Sequence, residues 1–133
     1  MTISFTVEGR PVPKARPRVT RGRAYTPAET REYEEWVRWN YARANGPKFA
    51  GWVTVFIRAY FPIPESTSKK KAAELEGEYC AKRVGDVDNV AKSILDALNG
   101  VAYTDDCQVV GLDVQKLQSA NPRVEVDIVG EVE

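Results

Sequence analysis

Ile3, Phe5 and Val7 alternate with Thr2, Ser4, Thr6 and Glu8, the period of a strand with one buried face. Pro11, Pro13 and Pro17 then break any regular helix over residues 9–24, which predicts an irregular loop or short edge strands. Thr26-Pro27-Ala28-Glu29 reads as a capping box with proline at the first helical position. Tyr33, Trp36, Val37, Tyr41 and Ala44 recur at helical spacing after it, and Asn45-Gly46-Pro47 is the stop. Over 52–61 the period returns to two. Val53, Val55, Ile57, Ala59 and Phe61 share a face, and Trp52, Phe56 and Tyr60 make the other face apolar as well, as a central strand would be.

Pro62 and Pro64 close that strand. Ser66-Thr67-Ser68 caps a short predicted helix reaching about Glu76, and residues 78–84 read as ambiguous between loop and short strand. A third helix is predicted from near Asp88 to Leu98, stopped by Gly100, with Ala91, Ile94, Leu95 and Leu98 as its apolar stripe. Two strands follow at about 107–117 (Val110, Leu112 and Val114 inward) and 123–129 (Val124, Val126 and Ile128 inward), joined through Asn121-Pro122. There is no repeat, low-complexity stretch or linker, and 133 residues fit one domain, 1–133. The expectation is a small α+β domain, a mixed sheet packed with about three helices. Trp36, Trp39 and Trp52 are assigned to the core or to subunit contacts rather than to base stacking.

Composition changes this picture in two ways. Net charge is zero, but Arg10, Lys14, Arg16, Arg18, Arg21 and Arg23 face a single acid, Glu8, in the first 24 residues, while acids dominate from Asp105 onwards. There is also no histidine, so a metal here must be held by oxygens. Cys80 and Cys107 lack the spacing of a zinc site or a disulfide framework, and a reduced cytosol is the default. No apolar run reaches membrane-spanning length and the N-terminus has no signal-peptide core, so a cytoplasmic protein is expected.

The acids carry the chemistry. Asp86 and Asp88 are two apart, and on an extended segment they would point the same way. Lys92 is one helical turn beyond Asp88, about 100° from Ala91 and so at the edge of the buried stripe. Asp106, from the pair Asp105-Asp106, joins them if the segment after Gly100 folds back along the helix. Three carboxylates without imidazole suit Mg²⁺, with Mn²⁺ as a substitute, and phosphoryl chemistry. Each part has a structural alternative: Asp88 as a helix cap, Asp96 as a solvated residue paired with Lys92, Asp105 as a turn residue. DxD followed by an aspartyl-nucleophile phosphatase reaction is a further reading, but Ala81-Lys82-Arg83-Val84-Gly85 is not the apolar strand such an enzyme places before it.

Asp86-Val87-Asp88-Asn89-Val90-Ala91-Lys92, Asp96-Ala97-Leu98 and Asp105-Asp106-Cys107-Gln108-Val109 resemble, in order and spacing, the D-x-D-N-x-x-K, D-A-L and D-D-x-Q-V blocks of the RusA family of Holliday junction resolvases. Arg21-Gly22-Arg23 extends the likeness weakly towards the N-terminus. The resemblance implies a homodimer that cleaves four-way DNA junctions by paired symmetric nicks with Mg²⁺. It implies metal-binding, catalytic roles for Asp86, Asp88 and Asp106, with Lys92 as the essential lysine. Lys14, Arg16, Arg18, Arg21 and Arg23 are the candidates for phosphate contacts on branched DNA. A non-catalytic junction-binding protein on the same scaffold is the alternative; intact acids facing anionic DNA argue against it.

Overall fold

The computed structural model describes residues 1–15, 18–20, 23–25 and 28–132, with backbone alone at 18–20 and 23–25. Its elements run β1 (Thr2–Glu8), β2 (Arg18–Thr20), β3 (Arg23–Tyr25), α1 (Ala28–Arg43), β4 (Phe49–Pro62), α2 (Lys69–Leu75), α3 (Val87–Leu98), a one-turn 3-10 helix (Asp106–Gln108), β5 (Val109–Ser119) and β6 (Arg123–Val132). Four strands form one mixed sheet in the order β1-β6-β4-β5, with β4 and β5 parallel and the other pairs antiparallel. The chain is therefore a single compact α+β domain. The short strands β2 and β3 pair separately as a hairpin within the basic segment.

One face of the sheet carries the core. Val53, Val55, Ile57, Ala59 and Phe61 of β4, Val124, Val126 and Ile128 of β6, and Phe5 and Val7 of β1 are all buried there. Tyr33, Val37 and Tyr41 of α1 and Val90, Ala91, Ile94, Ala97 and Leu98 of α3 pack onto them. The α3 stripe is wider than the spacing predicts, because the helix is covered by α1 as well as by the sheet. Truncating a central residue such as Ile94 would cost about 2–5 kcal/mol. The short helix α2 buries nothing and is fixed by its cap, Ser68 Oγ accepting from the Lys71 N–H at 3.2 Å.

Among the described residues no helix covers the opposite sheet face. Arg58 of β4 donates to Glu125 and Asp127 of β6, each at 3.1 Å, and Arg123 donates to Glu125 at 2.9 Å and lies over the Tyr60 ring. Trp52 and Phe56 are exposed beside this lattice.

Three expectations shift, and a fourth falls outside the description. The capping box at Thr26 and Pro27 lies outside the described residues. Val110 and Leu112 are not inward: Val110 is two-thirds exposed and Leu112 about half exposed, on the rim of a pocket beside α3. The β4–β5 register slips between Val53 and Thr54, so Val110 is the extra residue of a bulge and has no partner. The tryptophans are not core: Trp36, Trp39 and Trp52 are all exposed. Trp36 and Trp39 stack on the outer side of α1, with centroids 5.3 Å apart, and the Trp36 indole N–H donates to the Glu8 carbonyl. The ambiguous stretch at 78–84 contributes one antiparallel bridge, Tyr79 to Leu117, on the β5 edge.

Candidate active site

α3 delivers most of the site. Gly85 turns the chain at φ 128°, Asp86 occupies the N-cap in extended conformation, and Val87 is the first helical residue. The helix therefore begins between the two aspartates, and the period-two relation expected of them does not apply. The Asp86 carbonyl accepts from the Val90 N–H at 3.0 Å, while its carboxylate makes no capping bond. Asp88, Lys92 and Asp96, each four residues apart, form a stripe down the side of α3 beside its buried face.

Asp106 comes from the other direction. After Gly100 the chain doubles back: the Gly100 N–H donates to the Tyr103 carbonyl at 2.8 Å, and the buried Tyr103 hydroxyl donates to the Leu95 carbonyl at 2.7 Å. Gln108 then pins the turn that carries Asp106. Its amide nitrogen donates to the carbonyls of Phe49 (3.1 Å) and Gly51 (2.8 Å), and its oxygen accepts from the N–H groups of Thr104 (2.7 Å) and Asp105 (3.2 Å). This is the fold-back on which the convergence of Asp106 with α3 depends.

Asp88, Lys92, Asp96 and Asp106 line one open pocket of about 330 Å³, walled by Ala91, Leu95 and Leu112. Asp86 is exposed at the head of the helix and is not among the lining residues. Burial, followed by the charges of Asp106 and Asp96, pushes the Tyr103 phenol well above its ordinary ionisation range. Among the described residues no three acids sit close enough to form a ready metal cage, and Lys92 makes no ion pair. Asp105 is a turn residue: the Cys107 thiol and the Asp106 N–H hold its carboxylate below the usual range. Cys107 is a free, exposed thiol.

The basic candidates divide. Lys14 is turned to the protein, not to solvent. Its ammonium donates to Glu34 of α1 at 2.6 Å and lies 3.2 Å from Asp96 of α3, and its side chain is only 15% exposed. Asp96 is correspondingly paired with Lys14, not with Lys92. Arg18 and Arg23 lie on the hairpin strands, with side chains outside the description, and Arg16 and Arg21 lie outside the described residues. Sequence reasoning missed Gln108 as a structural pin and Lys14 as a clamp. The D-D-x-Q block contained the first as a letter, but nothing local pointed to the second.

The model of the family described as Endodeoxyribonuclease RusA matches residues 8–129. The "Uncharacterized protein YqaN" of Bacillus subtilis (strain 168) is 38% identical over 135 residues, covering 95% of this chain and 94% of the relative. The match spans three of the four sheet strands and both sides of the carboxylate pocket, and the chain belongs to the RusA endodeoxyribonuclease family.

Proposed function

We propose that this protein is a Mg²⁺-dependent endonuclease that resolves four-way DNA junctions by paired symmetric nicks, working as a homodimer. The observation that carries the reading is that Asp88, Lys92 and Asp106 line one pocket in a chain of the RusA family, whose membership implies junction resolution.

The donor set fits a hard divalent cation. Asp88 and Asp106 offer carboxylate oxygens, Asp86 has a carboxylate not used by its helix, and the chain has no imidazole to favour a softer metal. The looseness of the acids is compatible with Mg²⁺, which keeps several waters and takes oxygens from the substrate phosphate. Mn²⁺ has the same ligand preference. When bound, the ion supplies a polarised phosphate and a water of lowered pKa.

The chain's own groups do the rest. Lys92 presents an ammonium to the charge that builds on the scissile phosphate, in the same pocket as the acids. Ala91, Leu95 and Leu112 give the pocket an apolar wall beside these charged groups. A protein that only binds junctions has no use for acids held against anionic DNA. Two matched nicks call for two sites related by a two-fold axis, which is the argument for a dimer.

The test uses synthetic four-way, forked and linear DNA with Mg²⁺ and with EDTA, and maps the cuts. Asp88→Asn and Asp106→Asn should each lower junction cleavage by roughly 10²-fold or more, the scale for losing one preorganised charge-stabilising group. Binding should persist or tighten as negative charge is removed. Full cleavage by either variant, or by the wild type in EDTA, would sink the metal-site reading. Tight junction binding by a wild type that never cuts would favour the non-catalytic alternative.

A further inference from the structure

The Pro13–Lys14 segment, just before the basic hairpin, meets α3 at two places and the turn that leads into it at a third. Pro13 packs against Gly85 so closely that a Cβ there would collide with its ring. The Lys14 N–H donates to the Asn89 carbonyl at 2.8 Å. The Lys14 ammonium reaches Asp96 at 3.2 Å while also bonded to Glu34 at 2.6 Å. Burial alone would lower the lysine's pKa; its bonds to Glu34 and Asp96 outweigh that and raise it.

The consequence concerns Lys92. On a helix, Lys92 and Asp96 are one turn apart and form a natural ion pair. In this structure Asp96 is paired with Lys14 instead, and among the described residues Lys92 has no ion-pair partner. Both Lys92 and Asp96 line the pocket, so the loss of Lys14 would leave an unpaired carboxylate beside an unpaired ammonium. We propose that Lys14 is a positioning residue: by holding Asp96, it keeps Lys92 free for the substrate phosphate. Asp96 is thereby neutralised as a fourth acid in the pocket. The same clamp fixes the head of α3, which carries Asp86 and Asp88, against the chain that enters the hairpin. This inference rests on the nuclease reading for its consequence in cleavage, but not for the pairing itself.

Two readouts separate those dependences. The first is the rate of acylation of Lys92, followed by peptide mass spectrometry on metal-free protein, with exposed Lys69 as internal reference. In Lys14→Met, Lys92 should label about twofold more slowly, the factor that corresponds to one helical ion pair. Lys14→Met/Asp96→Asn should return to the wild-type rate, because the competing carboxylate is gone, and Lys14→Arg should stay near it. The second readout is junction cleavage in Mg²⁺, which should fall in Lys14→Met and recover in the double variant.

A purely structural lysine would not be rescued by removing its own partner. Unchanged Lys92 labelling in folded Lys14→Met, or a double variant as impaired as the single one, would overturn the proposal. If the wild type cleaves nothing, the nuclease reading fails while the labelling still decides the pairing.

Discussion

At the scale of single residues, the Gln108 amide ties the turn that carries Asp106 to β4. Asp86, Asp88, Lys92 and Asp106 stand out because a histidine-free chain clusters them within a few turns. Gln108 looks like any polar residue until β4 is seen beside it, since its acceptors on Phe49 and Gly51 are 59 and 57 residues away. Gln108→Ala should leave two carbonyls and two N–H groups without this partner and cost about 1–3 kcal/mol. Urea denaturation should show the lower midpoint, and cleavage should fall with it as the Asp106 turn loosens. Gly85 is legible only as a glycine. Its φ of 128° and the Pro13 ring above it explain why a side chain is excluded. Gly85→Ala should cost about 1–3 kcal/mol through backbone strain, with the collision added, whereas Gly9→Ala, with open space at its Cβ, should pay only for strain. A smaller loss at Gly85 than at Gly9 would contradict this account.

At the scale of elements, the period of the apolar positions gave the correct type for β1, α1, β4, α3, β5 and β6. It failed where the register changes. Val110 and Leu112 belong to the predicted inward set by count, yet the bulge opposite Val53 and Thr54 removes Val110 from the ladder and Leu112, paired with Val55, is exposed at the pocket. Periodicity also could not say that no described helix would cover the second face of β4. Trp52, Phe56 and Tyr60 suggested a strand covered on both sides, whereas that face carries the Arg58–Glu125–Asp127–Arg123 lattice. The lattice ties β4 to β6 through charges far apart in sequence, and it sets a pH dependence. Burial alone would raise the Glu125 pKa, but hydrogen bonds from Arg123 and Arg58 outweigh it and hold it below its ordinary 4.5. A depressed carboxylate stabilises the fold above its unfolded value and loses that contribution as pH falls through the folded one. Thermal melts should therefore show Glu125→Gln less stable than wild type at pH 7, with the gap closing below about pH 4. A constant gap down to pH 3 would mean that packing, not charge, sets the difference.

At the scale of the molecule, a neutral total conceals a basic N-terminal quarter and an acidic C-terminal one, and the fold gives each a place. Acidic β6 neutralises Arg58 and Arg123 on the sheet face opposite the core, and Lys14 is drawn inward to α1 and α3. The bases proposed for phosphate on the N-terminal segment then include Arg18 and Arg23 on the hairpin, which follows the segment where the Lys14 N–H bonds the Asn89 carbonyl of α3. Two features of the proposal, phosphate contact and two-fold symmetry, meet in one measurement. Binding of a four-way junction should weaken linearly in log[salt], with a slope of about 0.9 per phosphate contact released. Arg18→Ala removes one contact from a monomer and two from a symmetric dimer. Measured on metal-free protein, so that nothing is cut, the slope should become shallower by about 1.8 rather than about 0.9 if two copies grip the junction equivalently. Sedimentation at the same protein concentrations should find two chains per junction. A change near 0.9 with one chain bound would leave the phosphate contact standing and remove the dimer; an unchanged slope would take the hairpin off the DNA.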